Sequence, residues 1–124
     1  MNRAGDEDML YVTAVLLLYL ELPDTPSRPS PADQSLARKL HQDAVPLPLV
    51  EAALLLGSLR RLERPSERPP LPGIRSLAYF MPVIAEMQQI PPLHGYLEYL
   101  RLKFNNITQA LRPDVQKSTF SADR

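Results

Sequence analysis

The sequence predicts an all-α protein, built as a single compact bundle of about five helices with proline-rich connectors. Three observations support this fold class. First, 14 prolines divide the 124 residues into segments of helix length, and proline suits the first turn of a helix but breaks its interior. Second, apolar residues within these segments recur at steps of three and four. Third, no strand-turn-strand signal such as Asn-Gly occurs in the sequence.

Length and composition restrict the class of protein further. A chain with 44% hydrophobic residues can bury one core of ordinary size, so we predict a helical domain over residues 1–112 and a flexible tail over residues 113–124. There is no cysteine and there are only two histidines, His41 and His94, so we expect neither a disulfide nor a metal site. The most apolar stretch, residues 9–22, is shorter than the roughly 20 residues of a membrane span. We therefore predict a cytoplasmic protein without a secretory signal or membrane segment.

The first helix is predicted from about residue 6 to residue 22. Three acidic residues at its start suit the positive end of the helix dipole. The segment is apolar on almost every face, which predicts a buried element, although its "YVTAV" stretch is also compatible with a strand. Residues 23–31 follow, with prolines at four positions, and favour an extended linker. Its two PxxP steps are of the kind that SH3-like grooves bind, and a stiff connector is the alternative that we favour.

Capping residues and spacing define the next two helices. Ser30 and Asp33 form an S-x-x-D cap around a proline, which predicts a second helix over residues 31–42. A proline also opens the third helix, which is predicted over residues 48–62. Its leucines, alanines and single glycine, Gly57, allow close packing against neighbours, so we predict that it is the central helix.

The stretch "GIRSLAYFMPVIAEM", residues 73–87, predicts a fourth helix with an irregularity. Pro82 removes one backbone donor and clashes with the preceding turn, which costs roughly 3 kcal/mol in a regular helix. We therefore predict a bend or a fresh helix start near Ala78, whose carbonyl loses its usual partner. Arg75 begins this helix and, with Tyr79, is a candidate for an exposed binding surface. The residues predicted to face the core are Ile74, Leu77, Met81 and Ile84.

The last helix is predicted to begin after Pro91 and Pro92 and to stop at Pro113. Its apolar positions fall at alternating intervals of four and three, which is regular enough to dock along the bundle or to pair with another chain. We take this seam as the candidate partner-binding surface. It consists of Leu93, Leu97, Leu100, Phe104, Ile107 and Leu111. The polar residues after Pro113 predict the disordered tail.

Catalytic patterns are not found in the sequence. Four scattered glycines cannot form a phosphate-binding loop, and Ser58 follows Gly57 without the G-x-S-x-G pattern of a hydrolase. We predict a protein that is not an enzyme and that needs no cofactor.

The net charge of zero conceals an asymmetry between the two halves of the chain. Residues 1–59 hold four Lys or Arg against eight Asp or Glu, a net −4, whereas residues 60–124 hold ten against six, a net +4. Two halves of opposite net charge indicate either a basic binding face or self-complementary packing of one half against the other. Both alternatives remain open from the sequence.

Basic residues near aromatic ones in the second half suit a nucleic-acid backbone, with arginine for phosphates and tyrosine for stacking. Glu63 and Glu67 interleave with these arginines, and arginines at a helix C-terminus also favour the dipole, so a structural role is the alternative. The candidate nucleic-acid-binding residues are Arg60, Arg61, Arg64, Arg68, Arg75, Tyr79, Arg101 and Lys103.

The spacing of Tyr79, Val83 and Met87 resembles the YxxxIxxxW motif in the C-terminal domain of DnaD-like bacterial replication proteins, with Met87 in place of the tryptophan. Ser76 with "YF" and "VI" also fits that family's S-x-x-Y-I-x-x-I-L pattern. The resemblance covers about residues 35–90. It implies an all-helical module that binds single- or double-stranded DNA without catalysis and helps to assemble replication or mobile-element machinery. The alternative hypothesis is a protein-interaction subunit or adaptor that docks on a larger complex, or dimerises, through its last helix.

Overall fold

The computed structural model describes residues 3–110 of the chain, with side chains from residue 5 onward. The helices are α1 (Arg3–Leu20), α2 (Pro31–Gln42), α3 (Leu47–Leu62), α4 (Met81–Gln89) and α5 (Tyr96–Ala110), and a 3₁₀ turn (Leu77–Phe80) precedes α4. No strand occurs between residues 3 and 110, so the prediction of an all-α bundle is confirmed. The predicted tail, residues 113–124, lies outside the described residues.

Helix α3 is the centre of the bundle, as predicted. It packs against α1, α4, α5 and the 3₁₀ turn. Between Val50 and Leu59 only Glu51 and Leu56 are partly exposed. Gly57 allows the closest approach, because the ring of Phe80 occupies the space that a Cβ at this position would need. The core therefore forms around α3, and the other elements are placed relative to it.

The predicted cap of α2 is confirmed, and its acidic residue has a second role. The Ser30 hydroxyl accepts a hydrogen bond from the Asp33 N–H at 3.1 Å, and the Asp33 carboxylate accepts one from the Ser30 N–H at 3.0 Å. The same carboxylate is buried and accepts hydrogen bonds from the Leu77 N–H at 2.9 Å and the Ser76 hydroxyl at 3.3 Å. Asp33 thus joins the start of α2 to the start of the 3₁₀ turn.

These hydrogen bonds also determine the charge state of Asp33. Burial by itself would raise the pKa of the Asp33 carboxyl, but the hydrogen bonds from Ser30, Leu77 and Ser76 outweigh burial and hold this pKa below its ordinary value. The carboxylate is therefore ionised at neutral pH although it is only 1% exposed.

Helix α1 is only partly buried, which corrects the prediction of a buried element. Val15 and Tyr19 are fully buried, but Met9, Leu10 and Leu17 are 67%, 71% and 57% exposed. The helix packs on α2 and α3 along one side, and nothing in residues 3–110 covers the opposite side. The strand alternative is excluded, since the whole stretch is helical.

Polar contacts of Asp8 fasten α1 to α2. The Asp8 carboxylate accepts a hydrogen bond from Arg38 Nε at 3.3 Å and lies 2.9 Å from His41 Nδ1. The hydrogen bond with His41 is the main reason that the pKa of Asp8 lies below its ordinary value. The His41 ring also stacks on Tyr11 at 4.6 Å, and the Tyr11 hydroxyl donates to the Val45 carbonyl at 2.7 Å. One of the three N-terminal acids thus serves tertiary packing.

The predicted break at Pro82 is confirmed. Instead of one kinked helix, the chain makes the 3₁₀ turn and then starts α4 with Pro82 in the first turn. The Ser76 hydroxyl accepts a hydrogen bond from the Ala78 N–H at 3.0 Å, and the Ala78 carbonyl accepts one from the Met81 N–H in place of the missing Pro82 donor. Arg75 lies before this turn, so the prediction that it begins the fourth helix is wrong.

Most of the predicted core positions of this stretch are buried. Ile74, Leu77 and Ile84 are at most 4% exposed, whereas Met81 is partly exposed. Val83 and Met87 are also buried, on the side of α4 that packs against α3.

Helix α5 begins later than predicted. Gly95 has a φ of 86°, a left-handed conformation that a right-handed α-helix excludes, so the helix starts at Tyr96 rather than directly after Pro92. Leu93 and His94 therefore lie in an exposed connector between α4 and α5.

The buried hydroxyl of Tyr19 leads to a stability prediction. Within the described residues this hydroxyl has no hydrogen-bond partner, and burial, followed by the negative charge of Asp33, raises the pKa of Tyr19 to about 12. We expect Tyr19→Phe to raise the free energy of unfolding by up to about 1 kcal/mol, because it removes an unsatisfied buried polar group. Urea denaturation measures the change. Tyr11→Phe is the control. It removes a satisfied hydrogen bond and is expected to lower the free energy of unfolding by about 1 kcal/mol. A clear destabilisation by Tyr19→Phe would contradict this reading.

Candidate nucleic-acid interface

Three of the eight predicted nucleic-acid-binding residues form ion pairs that join α3, or the residue directly after it, to α4 or α5. Arg60 donates two hydrogen bonds to the Glu86 carboxylate, at 3.0 and 2.7 Å, and thereby joins α3 to α4. Arg101 donates two to the Glu51 carboxylate, both at 2.7 Å, and joins α5 to α3. These bidentate contacts raise the pKa of each guanidinium and lower the pKa of Glu86.

Lys103 makes the third such pair. Its ammonium lies 3.0 Å from the Glu63 carboxylate and 5.9 Å from the centre of the Tyr99 ring. A carboxylate pairs with each of these charges, so Arg60, Arg101 and Lys103 offer less unmatched positive charge than the other predicted residues, although all three side chains remain partly exposed. Their assignment to a nucleic-acid surface stays a prediction. Of the three pairs, only Arg101 with Glu51 joins the basic half of the chain to the acidic half, as the self-complementary reading of the charge asymmetry expects.

Arg61 organises the region after α3. Its side chain, only 9% exposed, donates to the Pro72 carbonyl at 2.8 Å, to the Tyr79 hydroxyl at 3.3 Å and to the Asp24 carboxylate at 3.4 Å. The guanidinium also lies over the Tyr79 ring, 5.3 Å from its centre. Arg61 is thus a positioning residue that fixes both the proline-rich loop and Tyr79.

Three other arginines keep charge that no carboxylate within residues 5–110 matches. Arg64 donates from Nε and Nη2 to the Pro69 carbonyl, both at 3.4 Å, and a carbonyl does not neutralise a guanidinium. Arg68 and Arg75 are exposed, and their side chains have no ion-pair or hydrogen-bond partner in the part of the chain that the structure describes. Together these side chains give the region a positive potential.

Two adjoining grooves bring these residues to one face. The first, of about 340 Å³, is lined by Ser58, Arg61, Arg64 and Arg68 among others. The second, of about 460 Å³, is lined by Arg61, Arg75 and Tyr79 among others, and the two grooves share Arg61 and Leu71. Asp24 is the one acidic residue among the lining residues, against four arginines. We call this surface the arginine face.

Tyr79 is the aromatic residue of the arginine face. It is 43% exposed, and its ring packs edge-to-face on the buried Phe80 at 5.1 Å while Arg61 covers part of it. The ring is therefore both exposed and held in position. Val83 and Met87, the other two positions of the suggested motif, are buried and do not line the arginine face.

Asp24 is a member of this site that the sequence analysis did not identify. Its φ is 65°, a left-handed conformation that Asp tolerates better than most residues. In this conformation its carbonyl accepts a hydrogen bond from the Ile74 N–H at 2.8 Å and its carboxylate meets Arg61. The Pro-Asp pair at residues 23–24, with a further proline at residue 26, is a recognisable turn signal in the sequence.

The predicted partner-binding seam packs mainly against the chain itself. Leu100 is 1% exposed, and Leu97, Phe104 and Ile107 pack partly buried against the core, so the seam docks along the bundle. Leu93 is 86% exposed but lies in the connector before α5, and Leu111 lies outside the described residues. The described part of the seam therefore packs on α3, and its pairing with another chain stays a prediction.

Two searches of the described residues concern other classes of site. Residues 3–110 contain no helix that is long and apolar enough to cross a membrane. In the same part of the chain, no three His, Cys, Asp or Glu side chains come together as metal ligands would.

Comparison with known proteins identifies no relative. No protein-family model matches the chain, no curated protein is significantly similar to it in sequence, and no solved structure is significantly similar in fold. The resemblance to DnaD-like proteins stays a prediction, and the functional argument depends on the geometry of the arginine face.

Proposed function

We propose that this chain is a non-enzymatic, helical DNA-binding accessory protein that acts in the cytoplasm, in bacterial replication or mobile-element machinery. The arginine face carries the proposal, because it places four arginines and the exposed ring of Tyr79 beside a single acid, Asp24. Guanidinium groups neutralise backbone phosphates, and aromatic rings stack on bases that are not paired. The DnaD-like motif is the basis for the replication context.

The contacts described above suggest different tasks for the members of this face. Arg61 positions the Tyr79 ring and is nearly buried itself. Arg64, Arg68 and Arg75 are the proposed phosphate contacts, since no carboxylate in the described chain competes for them. Arg64 and Arg68 line the first groove, and Arg75 and Tyr79 line the second, so a backbone that follows both grooves meets all three arginines and the Tyr79 ring.

Fluorescence anisotropy with labelled single- and double-stranded oligonucleotides at two salt concentrations tests this proposal. We expect affinity to fall as salt rises, and the triple variant Arg64→Ala, Arg68→Ala, Arg75→Ala to bind about tenfold more weakly or worse, with a shallower salt dependence. The matched control is Arg60→Ala, Arg101→Ala, Lys103→Ala, which removes the same number of positive charges elsewhere. Circular dichroism checks that both variants fold. The proposal would be contradicted by the absence of binding at low salt, by an affinity that does not change with salt, or by equal losses of affinity in the two variants.

A second candidate function is a protein-interaction subunit or adaptor that uses the outward side of α5. Tyr99 and Leu102 are 53% and 63% exposed on this helix, and exposed apolar groups that lie together mark protein contacts. Light scattering over a concentration series tests the homodimeric form, with Leu102→Glu as the variant expected to return a dimer to monomer. A monomer at every concentration would contradict that form.

A further inference from the structure

The loop between α3 and the 3₁₀ turn contains a segment whose backbone is restricted by its sequence. Residues 68–72 read Arg-Pro-Pro-Leu-Pro. Each proline fixes its own φ near about −65°, and each residue before a proline is restricted to extended or polyproline II conformations. At least one of these two restrictions therefore limits the backbone conformation of each of the five residues. We call residues 68–72 the PPII segment.

Two arginines of the protein body hold one side of the PPII segment. Arg61 Nη2 donates to the Pro72 carbonyl at 2.8 Å, and Arg64 donates twice to the Pro69 carbonyl. A polyproline II helix repeats every three residues, so the carbonyls of Pro69 and Pro72 point to the same side. The protein body therefore holds the segment at two carbonyls, through Arg61 in the last turn of α3 and Arg64 just after it, while the sequence restricts its backbone.

The side chains of the PPII segment remain accessible. Every residue from 65 to 73 is exposed, including Pro69 and Pro72, which form a PxxP step. In contrast, Pro23, Pro26 and Pro29 of the linker before α2 are each partly buried. The PxxP step that the structure presents to solvent is thus not the one in the linker.

We infer that the PPII segment is a ligand for a protein module of the SH3 type, with a groove lined by aromatic side chains. Such grooves bind a polyproline II helix that is already formed, and the fixed carbonyls reduce the ordering cost of binding. Arg68 adds an exposed positive charge at one end, which fits a groove with an acidic residue at that end. This inference does not depend on the DNA-binding proposal, but the PPII segment lines both grooves of the arginine face, so a domain bound to the segment and DNA bound to that face would compete.

Isothermal titration calorimetry of the full chain against a panel of purified SH3 domains, covering both ligand orientations, tests the inference. We expect saturable one-to-one binding to at least one domain. We expect Pro69→Ala with Pro72→Ala, and separately Arg68→Glu, to weaken this binding by about tenfold or more, and the nearby control Pro65→Ala to leave it unchanged.

Circular dichroism checks the fold of each variant. Arg68→Glu keeps every proline and the hydrogen-bonded carbonyls of Pro69 and Pro72. It therefore tests SH3 binding by the PPII segment even if the double proline variant does not fold. The inference is overturned if no domain of the panel binds, if the PPII-segment variants bind as well as the parent chain, or if Pro26→Ala abolishes binding and so assigns it to the linker.

Discussion

Asp33→Ala is expected to lower the free energy of unfolding by about 3 kcal/mol. The loss has two parts. Removing the capping box of α2 costs about 1 kcal/mol, and the buried Leu77 N–H loses its acceptor, which costs about 1–3 kcal/mol more. Urea denaturation followed by circular dichroism measures the change. The control is Asp43→Ala, which removes an exposed partner of Lys39 and is expected to change stability by less than about 0.5 kcal/mol.

The same carboxylate predicts a dependence of stability on pH. The pKa of Asp33 is lowered in the folded protein, so its contribution is present above the unfolded pKa of about 3.9 and is lost as pH falls through the folded value. We expect the stability difference between the parent protein and Asp33→Asn to be constant near neutral pH and to shrink below about pH 4. A difference that stays constant down to pH 2 would show that Asp33 does not act through its charge.

Substitution of Gly57 is expected to have the second-largest effect. A Cβ at this position would lie 2.7 and 2.9 Å from two ring carbons of Phe80, and Phe80 is fully buried, so its ring has no space to move into. Overpacking of this kind costs about 1–3 kcal/mol. We expect Gly57→Val to lower the free energy of unfolding by about 3 kcal/mol. We expect Gly57→Ala to lower it by only about 1 kcal/mol, because the higher helix propensity of alanine offsets about 1 kcal/mol of the overpacking.

A double-mutant cycle separates the Phe80 contact from other effects of Gly57. Phe80→Ala removes both ring carbons concerned, so the cost of Gly57→Ala in that background should fall by about 1 kcal/mol. Gly73→Ala is the control, since its Cβ would meet only the Asp24 carbonyl, at 3.6 Å, and we expect a change within about 0.5 kcal/mol. If the effects of the Gly57 and Phe80 substitutions on the free energy of unfolding were additive, contact between residue 57 and the Phe80 ring would not explain the loss of stability in Gly57→Ala.

Local signals in the sequence determined those parts of the fold that were predicted correctly. Ser30, Asp33 and a proline define the start of α2, and Pro82 forces a new helix start after the 3₁₀ turn. The start of α5 was predicted wrongly because the sign of φ at Gly95 is not visible in the sequence. The exposed side of α1 was missed for a related reason, since apolar periodicity does not show whether a neighbour covers each side.

The candidate site was predictable only in part, because its members depend on distant contacts. The arginine-rich composition indicated a basic surface, but the acid beside each arginine cannot be read from its neighbours in sequence. Glu51 lies 50 residues from its partner Arg101, and Glu86 lies 26 residues from Arg60. The second role of Asp33 involves a residue 44 positions away. Long-range pairing therefore selects which arginines remain available.

The most direct test of the proposed function is a ¹H–¹⁵N NMR titration of the full chain with a single-stranded DNA oligonucleotide at low salt. The account predicts that chemical-shift changes concentrate on residues 61–79, with the Nε–H signals of Arg64, Arg68 and Arg75 among those that move, and that they reverse when salt is added. Changes centred on α5 around Lys103, or no changes at any ratio of DNA to protein, would contradict the account.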